Sequence, residues 1–189
     1  KMVLEDLWRD LEGETKEYKY QPDVEWEEQE RRLQEEFIET RARSFVGRAK
    51  LITEIIDYAL NPESENTGNA ICLTGSAGSG KSAVFAYLCR QLEKKDILLL
   101  VNSAGTGFRS GNINDVLKRW IGELAVKQNI PNPLPDKPST EDIDSAFRDL
   151  LLKTSQNYRV VILMDALNQM GKSIRINYMQ WLPENLPAN

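Results

Sequence analysis

The chain has 189 residues, 41% of them hydrophobic and 28% charged, which is enough for one sizeable core with an appendage and is the composition of a soluble globular protein. Its net charge of −5 is uneven: Lys1–Glu36 carries 13 acidic and 6 basic residues, leaving the remainder at +2 and neither part with the basic surface that nucleic acid requires. Two cysteines and no histidine argue against zinc sites, phosphohistidine relays and histidine-assisted serine or cysteine catalysis.

No apolar run reaches the length of a membrane span, and the first residues lack the basic-then-apolar order of a secretory signal. The expected location is therefore intracellular. Leu4, Leu7, Trp8 and Leu11 share one face of a short amphipathic piece that Gly13 interrupts. After Pro22, Trp26, Leu33 and Phe37 recur at heptad-like intervals among charges of both signs, which predicts a solvated helix with one narrow apolar seam. Two readings of it stay open: a helix connecting an upstream domain to the next module, or a helix packed on its own domain.

Beyond Gly47, the stripe Leu51, Ile52, Ile55, Ile56, Ala59, Leu60 predicts a helix that Pro62 terminates, and the polar stretch 62–69 predicts a loop. Ala70–Thr74 is short and mostly apolar, and predicts a strand that leads into GSAGSGKS at Gly75–Ser82. That octapeptide fits the GxxxxGK[ST] phosphate-binding loop. A polyphosphate needs several donors converging on closely spaced oxygens. Gly75, Gly78 and Gly80 allow the backbone conformations that turn the amides of Gly78–Ser82 inward, past Ser76, Ala77 and Ser79. Lys81 would set a cation on the β and γ phosphates, Ser82 would give its hydroxyl to Mg²⁺, and the following helix would present its positive end, Ala83 included, to the anion. In that helix Val84, Leu88 and Leu92 recur at four-residue spacing with Phe85 and Cys89 beside them. Cys72, in the expected strand, and Cys89 read as buried small hydrophobes in a reducing compartment.

Ile97–Val101 predicts a second strand covered on both faces. A helix with Ile113, Val116, Leu117, Trp120, Ile121 and Leu124 on one side follows, then four prolines between Pro131 and Pro138 that stiffen the connection. Ser139 and Asp142 have capping-box spacing ahead of the stripe Ile143, Ala146, Phe147, Leu150, Leu151. The third expected strand, Val160–Met164, ends at Asp165, the form of a Walker B element whose carboxylate holds magnesium directly or through water. This order predicts an α/β fold with parallel strands, helices on both faces and a ligand at the carboxyl ends of the strands.

FVGR at Phe45–Arg48, GSAGSGKS, the VNSAG segment, MDALNQM and WLPENLP at Trp181–Pro187 resemble regulatory P-loop ATPases of the STAND class, near the NACHT, nephrocystin-3 and telomerase-associated-protein types. The likeness runs from about Glu27 to the end. It implies a three-layer α/β/α P-loop NTPase core over 45–189, preceded by an acidic helical linker segment over 1–44. It also implies ATP or ADP with Mg²⁺ as ligands, and Val46, Gly47 and Arg48 bordering the adenine or ribose. The core would be one module of a larger signalling or scaffold protein with a lid, a winged helix and helical or WD40 repeats. Protein partners or self-association would follow, in the cytoplasm, with cytoskeletal or ciliary association open.

Two departures from the family bear on function. Active members carry an acidic residue directly after the Walker B aspartate or three positions on. Here Ala166 and Asn168 stand there, and an amide can orient water but cannot take its proton, so slow hydrolysis is expected. In the family, a sensor strand follows WLPxxLP and inserts between the two Walker strands, whereas this sequence ends at Asn189. The expectation is a core truncated before that strand and the lid, lacking its middle strand and folding poorly alone. The leading function is an ATP/ADP-binding regulatory switch. A scaffold holding nucleotide permanently and an AAA-type remodelling ATPase are the alternatives.

Overall fold

A computed structural model describes residues 25–43, 45–61, 70–171 and 179–183. Among these residues, five α-helices and a two-stranded parallel sheet make a mixed α/β structure: α1 (Trp26–Ala42), α2 (Ala49–Leu60), α3 (Lys81–Leu92), β1 (Leu98–Ser103), α4 (Ile113–Lys127), α5 (Thr140–Ser155), β2 (Val160–Asp165) and a short 3-10 turn, Leu167–Gln169. The Leu4–Leu11 piece, the 62–69 loop and most of WLPENLP lie outside the described residues. Among the described residues no helix is long and apolar enough to cross a membrane.

The strands pair in register from Leu98 with Val160 to Ser103 with Asp165. Successive side chains of a strand point to opposite faces, and both faces are packed. Leu98, Leu100, Val160, Ile162 and Met164 meet α4 and α5 in a cluster that includes Leu117, Trp120, Ile121, Phe147 and Leu151. Leu99, Val101 and Leu163 meet Ile38 of α1 and Phe85, Ala86 and Cys89 of α3. α2 adds Ile52 against Val84 and Leu88, with Leu73 and Leu163 alongside. Trp181 is buried between Trp120 and Phe147, with ring centroids 6.0 and 5.8 Å away, and so ties the 179–183 segment to α4 and α5.

Local signals fixed the helix ends. Asn112 caps α4 by accepting from the Asn114 N–H at 2.9 Å. Ser139 and Asp142 form the full capping box at α5, where the Ser139 N–H and hydroxyl hold the Asp142 carboxyl below its ordinary range. At the far end of α2, Arg159 donates to the Ala59 carbonyl at 2.8 Å, a cation where the helix dipole favours one.

Two expectations are corrected. Ala70–Thr74 is not a strand: β2 pairs with β1, and among the described residues no neighbour offers 70–74 the main-chain partners that define a strand. Cys72 is consequently exposed, whereas Cys89 is fully buried in α3. Burial also pushes the Cys89 thiol well above its usual range, since no solvent stabilises the thiolate.

Among the described residues the outer border of β1 pairs with no third strand, and at Val101 and Ser103 its main chain bonds to side chains instead. The Gln34 Oε1 accepts from the Ser103 N–H at 2.8 Å and its Nε2 donates to the Ser103 carbonyl at 3.1 Å. Arg119 Nη2 at 2.8 Å and Trp120 Nε1 at 3.3 Å donate to the Val101 carbonyl. Buried amides are expensive to leave unpaired, and here a glutamine on α1 does the work of a neighbouring strand.

Two outcomes follow from this packing. Gln34→Leu, which keeps the volume but strands the Ser103 N–H and leaves the Ser103 carbonyl to Thr106 alone, should lower stability by about 2 kcal/mol, read from the urea midpoint; no shift would refute the edge-sealing role. In the native protein a thiol reagent should modify Cys72 promptly and Cys89 only on denaturation, with peptide mass identifying the site; prompt labelling of Cys89 would contradict its burial.

Candidate functional site

Phe45 stacks on Tyr87 of α3 with ring centroids 4.6 Å apart, and this fixes where the chain enters α2. Arg48 then takes a left-handed conformation, φ 56°, and donates from Nη2 to the Ser79 carbonyl in the glycine-rich loop. Val46 and Gly47 are exposed. Segments 31 residues apart are thereby joined at the loop, with Arg48 on its outside.

Within the loop, Ala77 and Gly78 form a turn closed by Ser79 N–H donating to the Ser76 carbonyl at 3.2 Å. Gly78 and Gly80 lie at φ 75° and 84°, a region that a β-carbon disfavours. The Lys81 ammonium folds back onto the loop and donates to the carbonyls of Gly75 at 2.7 Å and Ser76 at 2.9 Å. α3 begins at Lys81 from Gly80, with no side-chain cap and no acidic residue in its first turn. The main-chain N–H groups of Lys81, Ser82 and Ala83 are therefore left as donors at the positive end of the helix, and Val84 N–H is the first to bond back, to the Gly80 carbonyl at 3.0 Å.

At the other edge of the site, Asp165 ends β2 and accepts from the Ser103 hydroxyl at 3.2 Å. Ala166 turns the chain sharply at φ 55° into the 3-10 turn. Ser82 and Asp165 line one cleft of about 550 Å³, together with Ser103–Thr106, Ala166 and Gln169. Asn168 is exposed on the same turn and is not among the cleft's lining residues; the neighbouring Gln169 is.

The rest of the lining comes from α1: Leu33, Glu36, Phe37, Thr40 and Arg41. These positions follow helical spacing and form one face. The next face, Glu30, Gln34 and Ile38, is buried. Glu30 Oε1 accepts from the Arg109 N–H at 2.9 Å, and Gln34 also donates to the Thr106 hydroxyl, so α1 grips the 103–109 loop at two points. Arg109 itself sits over the Trp26 ring, 4.7 Å from its centroid, and near Asp115 at 3.6 Å. The helix is thus packed on β1 and α3.

Sequence reasoning missed the cleft-facing role of Glu36, Thr40 and Arg41, and the anchoring by Glu30 and Gln34. One signal was present: Leu33 and Phe37 marked the seam, and the polar members of the same face share its periodicity. Ser103 had no signal of its own, because its link to Asp165 follows from strand register.

Among the described residues no group of three or more acidic or cysteine side chains could cage a metal ion without further ligands. Ser82 and Asp165 offer a hydroxyl and a carboxylate oxygen to one cleft, and hard oxygen donors of this kind suit Mg²⁺ when phosphate and water complete its shell. Compared with known proteins, the chain matches no family model, no curated protein and no solved structure.

Proposed function

We propose that this chain is a nucleotide-binding switch module of the P-loop NTPase type, taking ATP or ADP with Mg²⁺ and hydrolysing ATP slowly. The observation that carries the reading is the convergence of Ser82, next to Lys81 at the uncapped start of α3, and Asp165, at the end of β2, on one cleft. Those residues are 83 positions apart in sequence and come from different elements. Loop amides and Lys81 would hold the phosphates. Ser82 and Asp165 would hold Mg²⁺, which supplies charge neutralisation between phosphate oxygens. Arg48, on the outside of the loop, is positioned by its bond to Ser79 rather than by any group in the cleft.

The chain's own residues favour retention over turnover. The turn after Asp165 presents an amide, Gln169, to the cleft, and Ala166 brings no acid. Glu36 on α1 is the remaining carboxylate among the described lining residues. A switch in this class works by holding one nucleotide state long enough for attached domains to respond.

Binding is tested by titrating the purified chain with Mg–ADP and Mg–ATP. Lys81→Ala should reduce affinity for both at least tenfold, Asp165→Asn should weaken the magnesium-dependent part, and binding unaffected by either substitution would sink the proposal. Turnover should be slow in the parent, raised about tenfold or more by Gln169→Glu, which sets a carboxylate at the cleft wall, and unchanged by Asn168→Asp and Glu36→Gln. A parent as fast as ordinary ATPases that loses activity in Glu36→Gln would replace the slow switch with an enzyme whose base comes from α1.

A further inference from the structure

We infer that Arg41, on the cleft face of α1, recognises the terminal phosphate of the bound nucleotide and so distinguishes triphosphate from diphosphate; this rests on the nucleotide-binding reading above. Arg41 is the one cation among the described residues that line the cleft shared by Ser82 and Asp165. The other lining charges, Glu36 and Asp165, are negative, so on the α1 side of the cleft, away from Lys81 and the start of α3, a polyphosphate meets positive charge from this side chain alone.

Its surroundings on α1 set it apart. Arg31 and Arg32 pair with Glu28, and Arg43 pairs with Glu39 at 2.9 Å. Arg41 has no carboxylate partner among the described residues. Its guanidinium lies over the Phe37 ring instead, 5.5 Å from the centroid, and Phe37 is itself part of the cleft wall. Stacking of this kind holds the planar fork at the wall while leaving its N–H donors free, the arrangement that suits bidentate contact with a phosphate. Thr40 lines the cleft beside it.

A nucleotide anchored at Lys81 and Ser82 places its last phosphate farthest from the base. A diphosphate ends one phosphate short, so the contact belongs to the triphosphate alone. α1 is also clamped to Ser103 through Gln34, and Ser103 bonds Asp165, so the helix that would read the phosphate is joined to the residue that would hold the metal.

The test compares equilibrium binding of Mg–ADP and of a β,γ-imido ATP analogue with magnesium to the parent chain, Arg41→Ala, Arg41→Lys and Arg43→Ala, all checked for unchanged melting. Arg41→Ala should weaken the triphosphate analogue about tenfold or more and leave ADP within about twofold, because a charge-assisted hydrogen bond is lost from one ligand only. Arg41→Lys should recover part of the loss and Arg43→Ala should change neither ligand. Equal weakening of both ligands by Arg41→Ala, or of neither, overturns the inference while the nucleotide reading stands. A parent chain that binds neither ligand overturns both, and the two failures are thereby distinct.

Discussion

The contact on which the rest of the structure depends is the amide of Gln34 laid against the main chain of Ser103. Its carbonyl and amino ends meet the N–H and C=O of one residue at 2.8 and 3.1 Å, in the manner of a neighbouring strand. The Ser103 N–H has no other described partner, and the two directional bonds together specify both the rotation and the height of α1 over β1. Once α1 is set at that height, Ile38 falls among Phe85, Ala86 and Cys89, and the face from Leu33 to Arg41 falls on the cleft.

The same contact explains a helix that is polar on its buried side. Glu30 and Gln34 are nearly inaccessible, yet both have backbone partners in the 103–109 region. Burial of such groups is tolerable when each is hydrogen-bonded, and the directionality of those bonds adds specificity that apolar packing lacks. Ser103 then serves two neighbours: its main chain holds Gln34 and its hydroxyl holds Asp165. The wall of the cleft and its deepest carboxylate share one residue, so displacement of either reaches the other through rigid, paired groups.

Much of this was legible in the sequence where the information is local. The stripes of α2, α4 and α5, the capping box of Ser139 and Asp142, and the two apolar runs Ile97–Val101 and Val160–Met164 declare themselves within a few residues, though β1 runs on through Asn102 to Ser103. The octapeptide before α3 likewise carries its left-handed glycines in its own composition. What failed depended on distant neighbours. Ala70–Thr74 has strand-like residues but lacks a described strand beside it, and the exposure of Cys72 follows from that alone. Gln34 and Ser103 are 69 residues apart, and no periodicity in either segment announces that an amide on a charged helix will complete a strand. Asn168 stands three positions after Asp165, and beyond the left-handed turn at Ala166 it is Gln169 that lines the cleft.

Gln34, Arg119 and Trp120 hold the outward carbonyl of Val101 and both main-chain groups of Ser103, so at these positions β1 is a poor template for another chain's extended segment. A strand arriving there would have to break those side-chain bonds before it could make its own.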